Sequence, residues 1–177
     1  MATEGKNVNA ILAPYIVGFT EGEGCFLVCL RRDCRIDLRF FISQAEGNKQ
    51  LLREIQQFFG VGSVYQKSAA RGRRLPAWVF EITKRDDIYN VVIPFFKRNR
   101  LKGYKAKSFA AFCKIATIVK GRQDTRKLCP KELSYIRKLK LGMNKHYGSP
   151  GAGKPHAVVG TRNNLDEAQS VKPAKSG

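Results

Sequence analysis

Two strand-length stretches near the N-terminus alternate strictly. From Cys25 to Arg32, Phe26, Val28 and Leu30 hold one parity and Cys25, Leu27, Cys29 and Arg31 the other. From Ile36 to Ser43, Leu38, Phe40 and Ile42 alternate with Asp37, Arg39, Phe41 and Ser43. A period of two puts each set on one face of a strand, and the turn around Asp33-Cys34 makes the pair a hairpin. Val64 to Lys67 and Trp78 to Ile82 predict a third and a fourth strand, separated by the basic loop Arg71-Gly72-Arg73-Arg74. In the fourth strand Trp78, Phe80 and Ile82 form the apolar parity, so Val79 is expected to face outward.

The remaining periodic stretches repeat at helical spacing. Pro14 suits a first helical position, and Tyr15 to Thr20 follows as a short helix. Asn48 to Phe59 carries Leu51, Leu52, Ile55, Phe58 and Phe59, and Gly60 and Gly62 end it. Asp86 to Phe96, with Pro94 near its end, Lys107 to Lys120 and Pro130 to Leu141 complete the helices. The order α-β-β-α-β-β-α-α-α predicts an α+β fold, one four-stranded antiparallel sheet with helices packed on one face. The other face would carry Arg31, Arg39, Tyr65 and Lys67. Residues 1–9 read as a flexible N-terminus, 10–141 as the folded domain, and 142–177 as a Gly/Pro-rich basic tail, partly disordered.

Charge changes the picture most. The 177-residue chain has a formal charge of +19. The tail accounts for +3 of it, which leaves +16 on residues 1–141. A surface this basic calls for a polyanionic partner, and nucleic acid is the first candidate. A membrane surface would want a basic amphipathic helix or a lipidation signal, and neither stands out. Without a signal peptide or a long apolar run, the chain reads as soluble and intracellular. Cys25, Cys29, Cys34, Cys113 and Cys129 have neither disulfide-framework nor zinc-site spacing. Gly148 to Lys154 matches the front of a phosphate-binding loop, but Pro155 stands where the Ser or Thr belongs.

The candidate chemistry sits between the first helix and the first strand. Glu21 and Glu23 alternate with Gly22 and Gly24. Carboxylates at a helix C-terminus are disfavoured by the dipole, so a divalent cation would rationalise them; a solvated turn is the plain alternative.

The run Ile16-Val17-Gly18-Phe19-Thr20-Glu21-Gly22-Glu23-Gly24-Cys25-Phe26 resembles the signature of the LAGLIDADG homing endonucleases. Phe41-Ile42-Ser43-Gln44, Leu101 to Lys105 with the helix after it, and Leu128 to Lys145 resemble further stretches of that family. The resemblance covers roughly residues 10 to 147. It implies that Glu23 binds metal and positions the attacking water, with the Gly22 carbonyl beside the metal. It makes Glu21 structural, Gln44 a supporting polar residue near the scissile phosphate, and Lys105 the basic residue there, with Lys102 its rival. It also implies Mg²⁺ as cofactor, Mn²⁺ as a working substitute, and Ca²⁺ as an ion that binds without cleavage. One motif supplies one catalytic set, so cutting both strands implies a homodimer. Tyr15, Gly18, Phe19 and Gly22 would pack across its two-fold axis, and the target would be pseudo-palindromic double-stranded DNA cut with staggered ends.

The sheet would read the major groove. Candidate DNA contacts on or beside it are Arg31, Arg39, Phe41, Ser43, Tyr65, Lys67, Arg71, Arg73 and Arg74. Lys97, Arg98, Arg100, Lys102, Lys105 and Lys107 put six cations in eleven residues and read as backbone contacts. An intron-encoded RNA maturase and an inactive DNA-binding protein are the alternatives. A bacterial, archaeal or organelle-encoded origin would fit either.

Overall fold

The computed structural model describes residues 8–67, 77–122 and 124–143. Arg71, Arg73 and Arg74, and all of the expected tail beyond Met143, lie outside the described residues. The element order is α1 (Val8–Glu23), β1 (Gly24–Leu30), β2 (Ile36–Ala45), α2 (Lys49–Phe59), β3 (Ser63–Lys67), β4 (Ala77–Ile82), α3 (Arg85–Asp87), α4 (Ile93–Arg98), α5 (Tyr104–Val119) and α6 (Pro130–Gly142). A π turn, Ile88–Val92, joins α3 to α4. The fold is α+β, as the alternation predicts.

Four antiparallel strands form one sheet in the order β1-β2-β4-β3, so β2 and β4 are central. Pairing puts Phe26 opposite Phe40, and Ile42 opposite Phe80. That parity faces the helices. Phe96 from α4 lies 5.2 Å from Phe26 and 5.3 Å from Phe40 between ring centroids. Phe112 from α5 lies 5.5 Å from Phe26, and Phe59 from α2 stacks on Phe80 at 5.8 Å. Such edge-on and stacked pairs add to simple burial. Truncating a core phenylalanine such as Phe40 costs about 3–5 kcal/mol.

Two helices begin several residues before their expected starts. α1 begins at Val8, so Pro14 lies inside it instead of at its start. Proline lacks the N–H that bonds back one turn, which is why position alone suggested a beginning. Pro94, as expected, lies within a helix, in the run from Arg85 to Arg98 just after the π turn. The wider turn adjusts the ladder where proline cannot donate. α5 begins three residues before Lys107, at Tyr104, with Gly103 as its N-cap.

Two termini follow local chemistry. Gly60 adopts φ 67° after α2 and donates its N–H to the Gln56 carbonyl, the left-handed cap that glycine takes most easily. At α6, Pro130 takes the first turn, and the Cys129 N–H donates to Glu132 Oε2 at 2.9 Å. Among the described residues no helix is long and apolar enough to cross a membrane.

Candidate functional site

The outer face of the sheet follows from the register. Arg39 pairs with Leu27, Phe41 with Cys25 and Glu81, Ser43 with Val79, and Val79 with Tyr65. Asp37 and Cys29 extend this face at one end, and Lys67 and Ala77 at the other. Val79 has the expected outward parity but is only 4 % exposed. It sits mid-sheet between Ser43 and Tyr65, so neighbouring side chains cover it.

The arginines of this face are not bare cations. Arg31 Nε donates to Asp37 Oδ2 at 2.5 Å, beside the β1–β2 turn. Arg39 Nη1 donates to Glu81 Oε1 at 3.3 Å, and the Tyr65 hydroxyl donates to Glu81 Oε2 at 2.8 Å. Burial and then the Glu81 carboxylate push the Tyr65 phenol up to about 12. Its neutral form is therefore favoured by the fold; that stability is complete below about pH 10 and fades as pH rises toward 12. Sequence reasoning missed Glu81. Its signal was available: it shares the outward parity of Val79 in β4.

The α1–β1 junction forms the second part of the site. Only glycine fits at position 24, where an added Cβ would lie 2.5 Å from Thr20 Cγ2 and 2.9 Å from both Thr20 Cα and the Thr20 carbonyl oxygen. That close approach lets the chain turn from the last helical residue straight into the first strand residue. Glu23, the last residue of α1, is exposed. Glu21 Oε1 accepts from the Lys102 N–H at 2.5 Å and from the Gly103 N–H at 2.9 Å. Glu21 thus ties the end of α1 to the start of α5.

That tie brings the lysines in. Lys102 is exposed beside Glu21, whereas Lys105, one residue inside α5, is only 6 % exposed. Burial pushes the Cys25 thiol up, and the nearby Lys105 ammonium pulls it partly back. Lys105 therefore lies near Cys25, at the start of β1. Gln44 joins the same end of the sheet, because Ile42, two residues before it, pairs with Gly24. Its Oε1 accepts from Asn48 Nδ2 at 2.8 Å. Gln44 lies within β2, which runs to Ala45, past the expected end at Ser43. Glu23, Gln44, Lys102 and Lys105 thus gather at the end of the sheet where α1 runs into β1.

Other cations lie elsewhere. Lys97 and Arg98 end α4, whose Phe96 packs on the inner side of the sheet. With Arg100 they belong to the helical layer, not to the outer face. Lys49 is held 3.9 Å over the Trp78 ring, at the sheet end that carries Gln44.

A divalent cation can be tested against the donors. The Glu23 carboxylate is accompanied by the last carbonyls of α1, including that of Gly22, which lack partners within the helix. Among the described residues no group of three or more His, Cys, Asp or Glu side chains could enclose a metal. Mg²⁺ takes hard oxygen ligands and needs only one or two carboxylates when water and substrate phosphate supply the rest. The donor set fits such an open site.

The exposed face of α1 is the last component. Tyr15 is 47 % exposed and stacks on Phe19 at 5.7 Å. Gly18 and Gly22 are exposed, and a Cβ at either would meet nothing within 4 Å. The four residues form a flat stripe of rings and glycines at helical spacing.

Known proteins are similar to this chain. Residues 16–116, more than half of the chain, match the LAGLIDADG endonuclease family. Two Neurospora crassa proteins named as probable intron-encoded endonucleases are similar. One is 29% identical over 126 residues, covering 71% of this chain and 26% of that protein. The other is 31% identical over 120 residues, covering 64% and 22%. The chain thus spans about a quarter of the length of these relatives. Among solved structures, the meganuclease I-SmaMI bound to uncleavable DNA aligns with a TM-score of 0.66 and 29% identity, over 75% of this chain and 45% of that one. The homing endonuclease I-TnaI aligns with a TM-score of 0.64 and 25% identity, over 76% and 88%. I-SmaMI bound to uncleaved DNA in the presence of calcium ions aligns at 0.64 with 29% identity, over 75% and 45%. With its motif turning from α1 into β1 and its strands in this order, the chain belongs to the LAGLIDADG endonuclease family.

Proposed function

We propose that this chain is a site-specific double-strand DNA endonuclease that uses a divalent cation, Mg²⁺ in the first instance, and acts as a homodimer. The observation that carries this is the convergence of an exposed Glu23, the buried Lys105, Lys102 and Gln44 at one end of a sheet whose outer face, among the described residues, carries no helix. The calcium-containing complex of I-SmaMI supports a cation dependence, and DNA-bound I-SmaMI supports DNA as the partner.

In this reading Glu23 orients the attacking water at the scissile phosphate. A bound cation there supplies positive charge to the phosphate oxygens and makes water more acidic. Lys105 places an ammonium beside the developing charge, with Lys102 a second cation at the rim. Gln44, fixed by Asn48, orients polar partners at the same phosphate. The α1 stripe of Tyr15, Gly18, Phe19 and Gly22 packs on its copy, which brings two Glu23 residues together and dictates a pseudo-palindromic target. Phe41 and Tyr65 are the aromatic side chains of the outer face among the described residues, too few to stack a run of unpaired bases. Duplex DNA is therefore favoured over RNA.

The test is digestion of a randomised plasmid library by the parent and by Glu23→Gln, with Mg²⁺ or Ca²⁺, followed by sequencing of new ends. The parent cuts one pseudo-palindromic site with staggered ends in Mg²⁺, and the variant loses cutting by at least about a hundredfold while still capturing the site. Sequence-selective capture without any cutting by the parent would make it a binding protein. Neither cutting nor capture would move the RNA reading forward.

A further inference from the structure

The sheet face offered to DNA has a carboxylate near its centre. Glu81 lies on central β4, across from Phe41 of β2 and Ser63 of β3. Its side chain is 14% exposed, against 32% for Arg39. Facing a polyanion, an acid at this place is repelled unless it acts on something else. Both of its oxygens are engaged, Oε1 by Arg39 Nη1 and Oε2 by the Tyr65 hydroxyl. Arg39 and Tyr65 come from different strands, and each is diagonal to Glu81 in the register. One carboxylate therefore braces side chains from three strands.

The state of Arg39 narrows what it can do. Its Nε is buried and has no partner. The guanidinium can thus approach a ligand only through its Nη1 and Nη2 end. A carboxylate at one corner limits its rotamers and offsets its pull on phosphate. Both effects suit a base edge better than a backbone oxygen.

We propose that Glu81 is a positioning residue for sequence specificity, holding Arg39 end-on toward a guanine in the major groove, with Tyr65 bracing the carboxylate from the other side. This rests on the DNA reading given above. Guanine is the ligand because its O6 and N7 accept a two-donor fork. Glu81 acts through Arg39 and does not itself read a base, since its side chain is only 14% exposed and each oxygen already accepts a hydrogen bond from a neighbour.

The experiment selects bound duplexes from a randomised pool in Ca²⁺, with the full chain as parent, Arg39→Ala, Glu81→Gln, the double variant and Tyr65→Phe. Arg39→Ala flattens guanine preference at one base pair of each half-site by about tenfold. Glu81→Gln lowers the preference at that same base pair several-fold and leaves the other positions alone. In the Arg39→Ala background it changes nothing further. Tyr65→Phe keeps the ring, lowers the same preference, and carries the test should Glu81→Gln not fold. The slope of log affinity against log salt is the same for Arg39→Ala as for the parent. A shallower slope with equal weakening on all sequences would make Arg39 a phosphate contact and overturn the proposal. So would an effect of Glu81→Gln in the Arg39→Ala background, or an even loss of preference at every position. A parent that selects a sequence while the variants keep its profile overturns this inference alone. A parent that selects no sequence overturns the endonuclease reading with it.

Discussion

Glu21 and Glu23 are two residues apart and do different work. Glu23 is exposed at the end of α1, whereas Glu21 is spent on the Lys102 and Gly103 N–H groups. A charged acceptor for two N–H donors contributes about 2 kcal/mol at a half-buried site. Glu21→Ala should therefore lower unfolding stability by about that amount, measured by urea titration. It should also slow cleavage, because the segment with Lys102 and Lys105 loses its anchor. Glu21→Gln keeps an oxygen acceptor without the charge and should fall between the parent and Glu21→Ala in both assays. If Glu21→Ala matches the parent in stability, the tie is not energetically significant.

At the scale of elements, the junction from α1 to β1 sets where the exposed acid sits. Glu23 ends the helix, Gly24 begins the strand, and Thr20 packs against the bare Cα of Gly24. A methyl group there overlaps backbone as well as side-chain atoms, so the overlap cannot be relieved by a rotamer change. Gly24→Ala should cost roughly 2–3 kcal/mol in a denaturation experiment. Thr20→Ser removes only Cγ2 and should not rescue it, since the Thr20 Cα and carbonyl oxygen stay at 2.9 Å. A full rescue would locate the strain in the side chain. The π turn before Pro94 is a comparable device: it lets a proline stand inside a helical run that delivers Phe95 and Phe96 to the core.

For the whole molecule, the open question of assembly has a clean handle. Gly18 is exposed on α1 and has open space around its missing Cβ. Gly18→Gln should therefore leave the protomer folded, and helix propensity should stabilise it by up to about 1 kcal/mol. In a homodimer joined by this face, the larger side chain separates the two helices. Light scattering should give about twice 19.9 kDa for the parent and one chain mass for the variant. Cleavage of both strands should fall with it. A parent that is already monomeric at working concentration would require another source for the second motif.

The local pattern along the chain was enough for the strands, the core parity and the order of elements. Alternation at Phe26, Val28, Leu38, Phe40 and Ile42 reports a face directly, because side chains in a strand repeat every two residues. The acid–glycine junction was also legible, since glycine marks a backbone that must approach closely. Helix starts at Pro14 and Lys107 were misjudged, because a proline and the first apolar repeat are weak local signals of a boundary that packing overrides. The resemblance made Glu21 the structural acid, but what anchors it, a contact across 81 residues to Lys102, came only with the fold. The carboxylate between Arg39 and Tyr65 depended on strand order, which puts β4 between β2 and β3. Periodicity tells each residue which face it occupies; only the folded sheet decides which neighbour it meets there, because that partner arrives from a distant part of the chain.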